Sequence, residues 1–263
     1  MLNKLLKYDL KYMIKNMSVF YILAIFFSVT TKIFFSLEQS FIIGIIAQIS
    51  NGCMIAMIAN IVINVMMRSW VRFRDSIYKD ESYLTHTLPV TKDEIYNSKF
   101  LQTFIFYVIS FVIVILCLFI TYYTKDNWLT LTTFIKKITT GLNMGTWLFV
   151  IGMLSVIFLE IFNAIQCGFL GIILGYKRNN GKVGFSVLFG FIAYLLSQSI
   201  VLLLTYVVAL FDPGMMALFK QEPLMNTTAL KVLMILAIIL YVLIIFIMNI
   251  LCRRKLNKGV NIE

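Results

Sequence analysis

Residues Ala229–Leu251 read ALKVLMILAIILYVLIIFIMNIL, with a single charged side chain, Lys231, at the third position. About 20 apolar residues in a helix cross the ~30 Å hydrocarbon layer of a bilayer. A run this long is too long for a strand, and it is apolar around its whole circumference, which suits lipid better than a watery surface. Five similar runs lie upstream, at Met17–Phe35, Phe41–Met67, Phe100–Tyr123, Leu142–Leu174 and Phe185–Leu210. The second and fourth exceed what the bilayer requires and are expected to tilt or project from it. The chain of 263 residues is 60% hydrophobic and 13% charged, with a mean hydropathy of +0.91. A soluble domain carries about 25% charged residues. The balance excludes a soluble enzyme, a disordered chain and a collagen-like repeat.

The net charge of +11 acquires meaning from its placement. With the N-terminus inside, alternate gaps between runs hold Lys4, Lys7, Lys11 and Lys15; Arg68, Arg72, Arg74, Lys79, Lys92 and Lys99; Lys177, Arg178 and Lys182; and Arg253, Arg254, Lys255 and Lys258. These are 17 of the 23 basic residues, so the inner set dominates and both termini are expected in the cytoplasm. Nucleic acid is not an expected partner; the lipid bilayer is. Trp70, Tyr122, Tyr123 and Trp128 stand at span ends, where interfacial aromatics belong. The first run is too long for a cleaved signal peptide and no small-residue cleavage site follows it, so it reads as a retained anchor.

The fold expected is therefore an all-α integral membrane protein: one domain over residues 1–263, with six transmembrane helices. Leu2, Leu5, Leu6 and Leu10 recur at helical spacing among lysines and predict an amphipathic helix on the inner membrane surface. The sizeable cytoplasmic loop, 68–99, contains Pro89, which disfavours helix at Leu88. Thr91 and Glu94 have capping-box spacing, so a new helix begins there. The short helix before Pro89 would carry an apolar face of Tyr83, Leu84 and Leu88. The outer segment 211–228, broken by Pro213, Gly214 and Pro223, reads as an interfacial or re-entrant piece, and Thr124–Thr140 as a stretch able to lie on the outer surface.

Familiar chemistry is sparse. No GxxxxGK[ST] or HExxH stretch occurs, and a lone His86 with Cys53, Cys117, Cys167 and Cys252 scattered apart makes no metal site. The chain is not expected to be an enzyme or to bind a cofactor itself. Glu160 is the clear acid within a span, where an ionised carboxylate costs about 2.5–3.5 kcal/mol on insertion scales. Asn163 and Cys167 follow at one-turn intervals. Either the stripe lines a translocation path or Glu160 hydrogen-bonds a neighbouring helix. Asn60 and Asn64 share a face of the second span and are candidates for the same path, or for interhelical glue. Gly141/Gly145 and Gly171/Gly175 mark candidate close helix crossings.

The stretch from Tyr78 to Val90, Tyr-Lys-Asp-Glu-Ser-Tyr-Leu-Thr-His-Thr-Leu-Pro-Val, with Ile95 and Ser98-Lys99-Phe100-Leu101, resembles the second-to-third-span loop of ABC-2 type permeases. It is most similar to those of Gram-positive bacteria that serve antimicrobial-peptide export and immunity. The resemblance covers about two dozen residues closely, and the six-span plan more loosely. It implies a coupling helix that docks on a separate ATPase, with Asp80, Glu81, Tyr83, Leu84, Thr85, His86, Thr87, Leu88 and Pro89 as the coupling residues. It further implies two ATPase copies carrying ATP and Mg, a second permease chain, identical or homologous, and a bacterial plasma membrane. The cargo would be amphipathic: a peptide, a lipid-like molecule or a hydrophobic antibiotic. The readings weighed against this are a non-transporting sensor, immunity or scaffold protein, and an ion-coupled carrier using Glu160.

Overall fold

The six apolar runs correspond to six long helices in the computed structural model; five of these outlast their runs, while α6 begins only at Thr146, four residues into the run at Leu142–Leu174. The structure describes residues 2–37, 40–79, 81–141, 144–220 and 228–258; the side chains at 2, 86, 217, 218 and 228 lie outside that description. Among the described residues there are nine helices and no strand. They are α1 (Leu2–Ser36), α2 (Phe41–Tyr78), α3 (Ser82–Thr87), α4 (Lys92–Tyr122), α5 (Lys125–Gly141), α6 (Thr146–Gly175), α7 (Lys182–Ala209), α8 (Pro213–Phe219) and α9 (Thr228–Asn257). Six of these, α1, α2, α4, α6, α7 and α9, are long and apolar enough to cross a membrane. The protein has the architecture of a multi-pass membrane protein.

The helices form two units, Met1–Trp128 and Leu129–Asn261. In the first, α1, α2 and α4 pack on one another, and α3 lies against α2. In the second, α6 packs on α7 and on α9, and α8 sits against both α7 and α9.

Both units are built for lipid. Outward positions such as Ile22 and Val112 in the first unit and Val187, Leu202 and Phe246 in the second are more than half exposed, while small polar residues turn inward. In the first unit Thr31 and Ser50 share a hydrogen bond of 2.8 Å between α1 and α2. Tyr21 and Ser110 share one of 2.6 Å between α1 and α4. Around them Ala24, Ile61 and Cys117 are fully buried. Small and hydroxyl-bearing residues let helices approach where hydrocarbon outside offers no competing drive. Far along α4, the Tyr122 hydroxyl donates to Asn51 Oδ1 at 2.7 Å, and Lys32 bonds the Tyr123 carbonyl. The aromatic residues expected at this end cluster: the Tyr123 ring stacks on Phe119 at 4.7 Å and lies 5.9 Å from Trp128.

Two expectations need correction. The amphipathic surface helix and the first span are one uninterrupted helix, α1. Residues 2–36 contain no Gly or Pro to break it. Leu5 and Leu6 accordingly sit beside buried Asp9, Met13 and Met17 on a face turned into the first unit. The second helix does not end with its apolar run at Met67: α2 runs on to Tyr78, about 57 Å in all. The stretch 124–140, read as able to lie on a membrane surface, is taken up by helix α5. Trp128, Leu131, Phe134, Ile135 and Ile138 fall on one side of it, and Leu131 and Phe134 are more than half exposed.

Other expectations hold. Leu88 is extended before Pro89, and Thr91 forms the capping box. Its hydroxyl accepts from the Glu94 N–H at 3.2 Å, while its own N–H donates to Glu94 Oε2 at 3.0 Å. Thr91→Ala should lower stability by about 1 kcal/mol, read as a fall in Tm, with Thr91→Asn close to wild type. An unchanged Tm for the alanine variant would mean that packing alone starts α4. In 211–228, α8 begins at Pro213 behind Asp212, whose side chain accepts from Gly214 N–H at 2.9 Å. Met215 of α8 is buried with Ala209 and Ala229. Pro223 lies outside the described residues.

Candidate functional site

Asp9 is the one acid in a segment that carries Lys4, Lys7, Lys11 and Lys15. On α1 it precedes Met13 and Met17 at four-residue intervals, which places it on the inward stripe. It is 1% exposed. Its Oδ1 accepts from Lys99 Nζ of α4 at 2.5 Å and from Arg72 Nε of α2 at 3.0 Å. Arg72 Nη2 is also 3.0 Å away. The Ser98 hydroxyl donates to Oδ2 at 2.9 Å. One carboxylate thus joins α1, α2 and α4.

Arg72 continues the chain of contacts. Its Nη1 reaches both oxygens of Glu81, at 2.6 and 2.5 Å, and its guanidinium lies 4.7 Å from the centre of the Tyr12 ring. The four formal charges of Asp9, Glu81, Arg72 and Lys99 cancel. Lys99 is only 2% exposed. Such a network is stable as a set because each buried charge has an opposite neighbour and further hydrogen bonds.

Glu81 stands at the N-terminus of α3 yet makes no side-chain cap there; its carboxylate is spent on Arg72. The helix is held at its inner side as well: Ser82 and Thr85 are buried, and the Thr85 hydroxyl donates to the Glu81 carbonyl at 2.9 Å. The Thr87 hydroxyl donates to the Leu84 carbonyl. Apart from the exposed Thr87, the described residues left outside are apolar. Tyr83 is 76% exposed, Leu84 73% and Leu88 44%. Pro89 is exposed beside them. Asp80 lies outside the described residues, and so does the His86 side chain. The short helix with an apolar face, expected from sequence, is present, and its fastening to the helix bundle was not foreseen. In the sequence Arg72 and Lys99 signal topology; the clue to the network is Asp9, an acid on the apolar stripe of α1.

The second unit holds the other candidate residues. Asn163 is fully buried, and its amide donates to Ser197 Oγ of α7 at 2.9 Å. Cys167 contacts Asn163 Oδ1 at 3.8 Å. Glu160, half-buried, lies within electrostatic reach of Tyr194 on α7 and Tyr241 on α9. The Tyr241 hydroxyl donates to Gln198 Oε1 at 3.1 Å. Three helices therefore converge on a polar centre one to two turns long. Asn60 and Asn64 behave differently. The Asn64 amide donates to the Asn60 carbonyl at 2.9 Å within α2, so this bond joins no second helix. They belong to the first unit, Glu160 and Asn163 to the second.

Against known proteins, the chain matches no family model, no curated protein and no solved structure.

Proposed function

We propose that the chain is the membrane-spanning subunit of an ATP-driven exporter and that α3 is its docking point for a separate ATPase. The observation that carries this reading is a short helix exposing Tyr83 and Leu84 while Glu81, the residue just before it, is anchored through Arg72 to a buried carboxylate shared by three long helices. A surface helix that merely covered a loop would have no need of that anchor. A push or pull on α3 passes to α2 through Arg72, to α1 through Asp9 and to α4 through Lys99. The resemblance of residues 78–101 to ABC-2 permease loops supports the same reading.

On this reading both termini face the cytoplasm of a bacterial cell. ATP and Mg bind on the partner ATPase, present in two copies, and a second permease chain, identical or homologous, completes the pathway. The polar centre around Glu160 and Asn163 contributes to the path of an amphipathic cargo.

The test is gentle solubilisation of the tagged chain from its own membrane, followed by identification of co-purifying proteins. A stoichiometric P-loop ATPase is expected. Tyr83→Ala with Leu84→Ala should weaken its binding by about 30-fold or more, the effect of losing one strong apolar anchor. Glu81→Gln should keep the ATPase bound and lower transport, because it cuts the link to Arg72. A chain that purifies without any ATPase, in conditions that preserve other membrane complexes, would sink the proposal.

A further inference from the structure

Helices α4 and α6 are both long and apolar enough to cross a membrane, and as successive spans they place residues 123–145 at one membrane face. Most of that connection is α5, 17 residues and about 25 Å long. Its two ends are held. At the start, the Trp128 ring meets Phe119 edge-on at 6.5 Å and lies 5.9 Å from Tyr123, where α4 ends. At the finish, Ile138 packs against the buried pair Met144 and Met234. Buried Thr139 shares a 3.3 Å hydrogen bond with Thr146, the first residue of α6. Two points on one helix, about 16 Å apart, are thus both fixed at the level where spans begin and end. The axis of α5 therefore runs along the membrane face and not away from it.

Between those points α5 is uncovered: among the described residues, no other helix lies along it. Its side chains are nonetheless sorted. At about 100° per residue, Trp128, Leu131, Phe134, Ile135 and Ile138 share roughly a third of the circumference. Lys125, Lys136 and Lys137, all exposed, fall outside that arc, as does Asp126, the sole acid of the helix. Leu129 is the exception, an exposed apolar residue on the charged side. The apolar arc also continues surfaces that already face lipid. Phe119 at the end of α4 and Trp147 at the start of α6 are each more than half exposed. Aromatic residues at such levels belong to the interface between hydrocarbon and headgroups. Since lipid stands at both ends of α5, the arc between them needs no protein to cover it.

We infer that α5 is an interfacial helix docked on an anionic lipid surface, with its apolar arc among the acyl chains and Lys125, Lys136 and Lys137 against the headgroup phosphates. A helix with one apolar face and a basic remainder binds a bilayer through both terms, apolar burial and attraction to negative headgroups. Three lysines against one acid give α5 the complementary charge, and each lysine near such a surface adds about fivefold in affinity. The first unit passes into the second between Trp128 and Leu129, so the lipid contact falls on the link between the two units. The inference needs α4 and α6 to span the membrane and is independent of ATPase docking.

The test uses the full chain in nanodiscs, with Trp70, Trp128 and Trp147 replaced by Phe and one tryptophan returned on α5. L131W stands on the apolar arc, and T133W about 160° round the helix from it. Lipids brominated on their acyl chains quench an indole at short range. They should quench L131W about threefold or more beyond T133W, and aqueous iodide should give the reverse order. Brominated phosphatidylglycerol diluted into phosphatidylcholine should quench L131W about fivefold more strongly than brominated phosphatidylcholine at the same fraction. K125Q/K136Q/K137Q should bring the two lipids level. Tm and elution volume establish that each variant folds; should L131W fail, Trp128 retained alone lies on the same arc and takes its place. Equal quenching of L131W and T133W by lipid would overturn the interfacial placement. Protection of L131W from both lipid and iodide would assign the arc to a protein, a second copy included, and overturn it as well. A wild-type helix indifferent to headgroup, or a preference that survives K125Q/K136Q/K137Q, would overturn the role of the lysines.

Discussion

Asp9→Ala removes most of the folded protein. The substitution leaves Lys99 and Arg72 facing each other with their shared carboxylate gone, in a place where Lys99 is 2% exposed. Breaking a buried pair in this way costs about 3–5 kcal/mol. Domains are commonly stable by only about 5–15 kcal/mol, so the change consumes a large share of the margin. The expected result is a large fall in Tm and a collapse of the monodisperse peak in detergent. The cause is distinguishable from lost packing volume. Asp9→Leu combined with Lys99→Met removes the ion pair and replaces it with apolar bulk, and it should recover much of the loss. Arg72 retains Glu81 in that double variant. An Asp9→Ala protein as stable as wild type would mean that water reaches the cluster freely.

Gly171→Ala has the second-largest expected effect. The added Cβ would meet the Gly190 nitrogen at 2.5 Å, the Ser186 carbonyl oxygen at 2.5 Å and the Gly190 Cα at 2.6 Å, all backbone atoms. No side-chain rotation relieves that contact, so α6 and α7 must separate. Overpacking typically costs about 1–3 kcal/mol, and a backbone-limited crossing belongs at the upper end. Gly52→Ala in α2 is the matched control. Nothing lies within 4 Å of its added Cβ, and the helix should gain up to about 1 kcal/mol. Opposite signs for two identical substitutions in two membrane helices would establish the crossing as the cause; equal shifts in Tm would refute it.

The legible part of this molecule was what depends on local sequence. Six apolar runs became six long helices, and Thr91 with Glu94 capped α4 as their spacing requires. Gly171 and Gly175 marked a close crossing, but Gly145, paired with Gly141 on the same reasoning, has open space around it. Small-residue spacing says that a helix permits an approach and leaves unsaid whether another helix takes it. Helix ends were misjudged where hydropathy falls without a breaker: α2 continues through Arg68, Arg72 and Arg74 because charged residues with good helix propensity do not stop a helix. The ion network was hidden for a different reason. Asp9 and Lys99 are 90 residues apart, Asp9 and Arg72 63, and no local pattern links them. Asn163 was recognisable as an intramembrane polar group, yet its partner Ser197 belongs to another helix and could be assigned only from the packing.

The span between Asp9 and Lys99 has a consequence for biogenesis. A ribosome adds about 5–20 residues per second, so roughly 5–20 seconds separate the emergence of these two residues. Arg72 emerges 63 residues after Asp9 and Lys99 only 90 residues after it, so until α4 has been made the Asp9 carboxylate lacks Lys99 and has to remain hydrated. The start of α1 cannot seat until α4 has been made. Closure of the first unit is therefore a late event that reports completion of three helices at once, and a nascent chain that stalls before Lys99 carries an unpaired carboxylate beside an exposed apolar stripe, by which quality control can distinguish it from a finished one.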